Sequence, residues 1–134
     1  MTADISEIQA AVRAFAEERA TRLAEAFVER ARSYAPRRTG AGANSIEVAS
    51  VSESSYGFTA RIEVGEQYMA YQNFGTGIYG PSGTPITPKH GKVLVFDSFA
   101  GGGIVFATKV RGSEPTHFWE RTVDAWSEIV RSAA

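Results

Sequence analysis

The chain contains no cysteine. Disulfides and thiolate metal sites are therefore excluded, and the fold needs no oxidising compartment. Histidine is almost as scarce. His90 and His117 are too few for a histidine-rich metal cluster, so neither a metal nor any other cofactor is expected. Neither sign of charge predominates. The 14 basic and 15 acidic residues leave a formal charge of −1, which disfavours tight electrostatic binding of nucleic acid. No apolar run approaches the roughly 20 residues of a membrane helix, so no membrane partner is expected. The opening Met-Thr-Ala-Asp-Ile-Ser-Glu has early acids and no apolar stretch, unlike a secretory leader. What remains is ordinary: 134 residues, 43% of them apolar, suit one soluble intracellular domain over 1–134 with a core that needs no staples.

Periodicity organises the chain. Ile5, Ile8, Val12, Phe15, Ala16, Leu23, Ala26, Phe27 and Tyr34 fall on one face at 100° per residue, predicting a helix from Asp4 to Tyr34. Asp4 with Glu7 resembles a capping box, and Pro36 ends the helix. Such a helix is too long for a compact domain of this size, so it bends or one end projects. Arg19 and Arg30 interrupt the stripe, either snorkelling past the core edge or meeting acids on a partner chain. From Ser45 the period becomes two. Ile46 and Val48, then Phe58, Ala60, Ile62 and Val64, predict an antiparallel hairpin. Tyr68–Phe74 reads as a short helix. Lys92–Phe96 and Gly103–Val110 read as a second strand pair, linked through Gly101-Gly102-Gly103. A closing helix is expected from Glu114 to Ser132, with Ser113 as cap and Pro115 in its first turn. Its broad apolar arc includes Trp119 and Trp126, both expected in the core. The fold class is α+β: a long N-terminal helix, one antiparallel sheet of about four strands with a short central helix, and a C-terminal amphipathic helix packed on the sheet.

Residues 75–91 break this regularity, with five glycines, three prolines and no period. Loops of this length are usually functional or disordered. Ile78, Tyr79 and Ile86 are not what a solvated linker carries, and they favour a loop ordered by a neighbouring subunit. Gly75-Thr-Gly77-Ile-Tyr-Gly80 matches a dinucleotide-loop pattern by letter, but an aromatic helical turn precedes it and no helix follows. His90-Gly91-Lys92 fails as a phosphate loop, because Ile86 and Val93 stand where glycine and a hydroxyl residue are needed. His117 with Glu114 or Glu120 could serve as a general base in a small hydrolase, yet no nucleophile motif accompanies it. Arg37 and Arg38, with Arg32, could touch phosphates or an acidic partner. Equally, they could satisfy carbonyls at a helix end.

The order of the segments is more telling than any one of them. The long helix runs into Ala35-Pro36-Arg37-Arg38-Thr39-Gly40-Ala41 and Asn44-Ser45-Ile46. Tyr71-Gln72-Asn73-Phe74-Gly75-Thr76-Gly77 follows, then Gly91-Lys92-Val93-Leu94-Val95-Phe96, Val110-Arg111-Gly112, Pro115 and Phe118. This resembles the minor tail-component, or head–tail joining (neck, tail-completion), family of long-tailed double-stranded-DNA bacteriophages. The resemblance covers nearly the whole chain. It departs at Gly42 or Ala43, where the family often has leucine, and at Asn73, where it often has glutamate.

The resemblance implies a non-enzymatic virion protein with no catalytic residues. Such a subunit forms a ring that joins the DNA-filled head to the tail and lines the DNA passage. The alternative is a tail-terminator ring capping the tail tube. Partners would be further copies of the chain, neighbouring connector or stopper proteins, and tail-tube or terminator proteins. DNA would pass without sequence-specific binding. Six compact subunits leave a hole of roughly 36 Å and twelve roughly 100 Å, so a hexamer is favoured over a dodecamer. The candidate interface residues are Arg37, Arg38, Thr39, Tyr71, Phe74, Gly75, Thr76, Gly77, Ile78, Tyr79 and Ile86.

Overall fold

The computed structural model describes residues 5–37, 39–89, 91–97 and 104–133. It combines a long N-terminal helix, antiparallel two-stranded sheets and C-terminal helices. The chain divides into two compact units. One runs to Glu66 and resumes at Phe118; the other is Gln67–His117.

The first unit is organised by helix α1, Ser6–Tyr34. Its 29 residues rise about 43 Å. The Asp4 part of the expected capping box lies outside the described residues. The helix stops where proline dictates: Ala35, just before Pro36, is extended at φ −65° and ψ 141°. Of the expected apolar stripe only Phe27 is buried, with Leu23, Ala26 and Tyr34 half-buried, whereas Ile5, Ile8, Val12 and Phe15 are 53–66% exposed. The other buried residues of α1, Ala24, Val28 and Ala31, lie on an adjoining face of the helix. The reason is coverage, because the aromatic and charged contacts of the closing helices fall on Phe27, Arg30 and Tyr34.

A short helix α2, Ala41–Asn44, turns the chain back along α1. Strands β1 (Ile46–Ser54) and β2 (Gly57–Val64) then form an antiparallel hairpin that packs on α1. Ile46 is fully buried, and its carbonyl accepts from both Nε and a terminal nitrogen of Arg32, at 3.0 and 2.6 Å. Near the other end of the hairpin, Glu53 pairs with Arg13 at 3.1 Å. Phe58, Ala60, Ile62 and Val64 are partly buried in strict alternation. On β1 the alternation slips at a bulge between Val48 and Ser50, so the next partly buried residue is Val51.

The closing segment is helical only from Phe118, as α4 (Phe118–Asp124) and α5 (Trp126–Ala133). Both pack on α1, which also packs on the hairpin. The expected start at Glu114 with a Ser113 cap is corrected by the hydrogen bonds of residues 113–117. The backbone N–H groups of Ser113, Thr116 and His117 donate to Thr76 Oγ1, the Gln72 carbonyl and the Asn73 carbonyl. Those ties hold the segment out of the helix. The junction at Ala125 follows the buried Thr122, whose hydroxyl donates to the Phe118 carbonyl at 2.7 Å, an i−4 bond that bends helices. Phe118, Thr122 and Ile129 are buried. Phe27 meets the Trp119 ring edge-on at 5.3 Å and the Trp126 ring at 6.2 Å. Trp126, expected in the core, is 44% exposed because only one side of it leans on α1.

Arg30 has an acid on its own chain. Its guanidinium reaches the Tyr34 hydroxyl at 3.4 Å and Glu128 at 3.3 Å, and these hydrogen bonds, Tyr34 first, hold its pKa above the usual arginine range. The Tyr34 ring also carries Arg121, whose guanidinium lies 4.4 Å from the ring centroid.

The second unit contains helix α3 (Tyr68–Phe74), a 3₁₀ turn (Gly77–Tyr79), and the antiparallel strands β3 (Leu94–Asp97) and β4 (Ile104–Ala107). Most of the expected glycine link between β3 and β4 lies outside the described residues. Among the described residues β1 pairs only with β2, and β3 only with β4. The strands are thus two separate pairs, one in each unit, where the pattern had suggested one sheet. Periodicity marks a strand but not its neighbour.

Candidate interaction surface

Within the second unit, α3 separates its side chains by face. Met69 and Asn73 are buried, while Tyr68, Tyr71 and Phe74 are 42–54% exposed on the other side. The carbonyls at its C-terminal end are capped by a returning stretch of chain. The Thr116 amide and hydroxyl both donate to the Gln72 carbonyl at 2.9 Å, and the His117 amide donates to that of Asn73 at 3.2 Å. Gly75 then leaves the helix with positive φ.

The glycine-rich loop is tied to residues 110–113 of the same chain. The Thr76 amide donates to the Ser113 carbonyl at 3.0 Å, and the Ile78 amide to that of Arg111 at 2.8 Å. Further along, Ile86 and Val110 exchange both backbone bonds at 2.8 and 2.9 Å. The loop expected to be ordered by a neighbouring subunit is thus tied at these points to its own chain. The two backbones approach so closely that a Cβ on Gly77 would overlap the Arg111 carbonyl, and one on Gly112 would overlap that of Thr76. Both residues also have positive φ. The letters of Gly75-Thr-Gly77 therefore serve backbone apposition. The single 3₁₀ turn after them offers no helix N-terminus for a pyrophosphate.

The expected interface residues fall into two sets. Tyr71, Phe74, Tyr79 and Ile86 are exposed on the second unit, with Thr76, Gly77 and Ile78 half-buried beneath them and Gly75 buried. Arg37 and Thr39 are exposed on the first unit, and Arg38 lies outside the described residues. Arg37 donates to the Arg32 carbonyl at 3.2 Å, closing the end of α1. Arg32 donates to the Ile46 carbonyl, so both arginines satisfy backbone carbonyls. His117 is exposed with φ 51° just ahead of α4, and His90 lies outside the described residues. No group of three or more acids and histidines able to hold a metal occurs among the described residues. No helix among them is long and apolar enough to cross a membrane.

Sequence reasoning missed the partner of the loop. The signal was Gly112, an isolated glycine just past the expected strand, which marks a close backbone approach. It also missed Ser45. The Ser45 carbonyl and hydroxyl accept from the amides of Gly65 and Glu66 at 3.0 and 3.3 Å and close the base of the hairpin. Comparison of the chain with protein-family models, with curated proteins and with solved structures finds no match.

Proposed function

We propose that the chain is a structural virion subunit that assembles into a ring at the head–tail junction of a long-tailed phage and acts by assembly, without catalysis. The observation that carries the reading is the ordered set of segments from Ala35 to Phe118. Several of them have a mechanical role here. Ala35-Pro36 ends α1, Ser45-Ile46 closes the hairpin base, and Gly75-Thr76-Gly77 seats against Arg111-Gly112. The exposed Tyr71, Phe74, Tyr79 and Ile86 add support, since ring closure needs an apolar patch that meets a different patch on the next copy. A hexamer around the DNA passage belongs to the same proposal.

The test is imaging of particles made from the genome that encodes the chain, with the chain tagged. The tag is expected between the portal and the tail, and a position at the tail-tube end alone would mark a terminator. The double variant Tyr71→Ser, Phe74→Ser is expected to fold and to be missing from particles. Fully infectious particles that lack the chain would overturn the proposal.

A further inference from the structure

Ile5, Ile8, Val12 and Phe15 are large apolar side chains that α1 leaves 53–66% exposed. At 100° per residue they lie within about 80° of arc. Their 3-4-3 spacing is the a/d spacing of a coiled-coil seam over two heptads. Farther along α1 the same face already accepts a helix. Ala26, Arg30 and Ser33 line a groove with Ile129 and Ser132 of α5, and Arg30 is paired with Glu128. Arg19 and Arg22 separate the covered half from the open half. The hairpin does not cover the seam, since its contact at Arg13 falls roughly a quarter-turn or more away on the helix.

We infer that the open half pairs with the same segment of a second copy, antiparallel. In that arrangement Ile5 meets Phe15 of the second copy and Ile8 meets its Val12, so the four residues satisfy one another and the seam closes before Arg19. A parallel pair would stack Arg19 on Arg19 and Arg22 on Arg22. Among the described flanking positions Gln9, Ala11 and Ala16 are neutral, and Glu18 is held by Arg22 of its own helix at 2.7 Å. Each seam side chain carries on the order of 100 Å² of apolar surface, so two copies bury roughly 800 Å². Stable pairs bury about 1,200 Å² or more, so this dimer is weak and reversible. The inference stands independently of the virion reading.

Sedimentation of the full chain from about 1 µM to about 1 mM is expected to show a concentration-dependent monomer–dimer equilibrium. Val12→Glu, at an exposed position, is expected to leave the far-UV circular dichroism unchanged and weaken dimerisation at least tenfold. Because the chain lacks cysteine, one introduced thiol reports orientation without interference. Ala11→Cys is expected to form a disulfide dimer on mild oxidation, and Ala14→Cys, on the far side of α1, is not. A monomer throughout the range, an oligomer that Val12→Glu leaves intact, or equal cross-linking of the two cysteine variants would overturn the inference.

Discussion

Two glycines with nearly the same backbone angle offer a controlled measurement. Gly77 has φ +63° and Gly83 has φ +65°. A Cβ on Gly83 meets nothing within 4 Å, whereas one on Gly77 overlaps the Arg111 carbonyl. Gly83→Ala therefore reports only the cost of left-handed backbone, about 1 kcal/mol. Gly77→Ala carries the same cost and must also push residues 76–78 off 111–113. That breaks the Thr76–Ser113 and Ile78–Arg111 amide bonds and the Ser113 amide bond to Thr76 Oγ1. At about 1 kcal/mol each, the three add about 3 kcal/mol. The expected costs are about 4 kcal/mol for Gly77→Ala and about 1 kcal/mol for Gly83→Ala. Urea unfolding followed by far-UV circular dichroism gives the difference. Hydrogen exchange at the Ile78 amide shows whether the loss is local. If the two variants agree within about 0.5 kcal/mol and the Ile78 amide stays protected in both, the apposition argument is wrong.

Two further predictions concern the first unit. Phe27→Ala is expected to cost about 3–5 kcal/mol in chemical denaturation, since both tryptophan rings lean on it, and Trp126→Ala about 1–2 kcal/mol because that ring is 44% exposed; the reverse order would show that the packing has been misread. Arg32→Met is expected to cost about 2 kcal/mol by the same measurement, because the buried Ile46 carbonyl loses two charged donors.

Local signals in this sequence were readable where one physical rule acts alone. Proline stopped α1 at Ala35, period-two alternation marked β2, and the aromatic run at 68–74 became α3. Readings failed where a distant stretch of chain intervened. Pro115 looked like the first turn of a helix, yet residues 113–117 are tied by hydrogen bonds to α3 and Thr76 and stay outside it. The stripe on α1 looked continuous, but periodicity carries no information about where α4 and α5 stop covering it. Trp126 looked buried by type, while its place at the start of α5 leaves one side open. For the candidate surface, the glycines were visible as letters. Their reason, a carbonyl about 35 residues downstream, was not.

The bulge beside Ala49 has a consequence for how this hairpin tolerates change in length. An ordinary strand that loses one residue turns all later side chains to the wrong face. Here β1 already contains one residue in excess, and removing Ala49 would bring Ile46, Val48 and the present Val51 into plain alternation. The strand is thus buffered against a one-residue deletion at this point, though not against an insertion. The penalty would fall on curvature, drawing Glu53 away from Arg13 while leaving the inner face of the hairpin apolar.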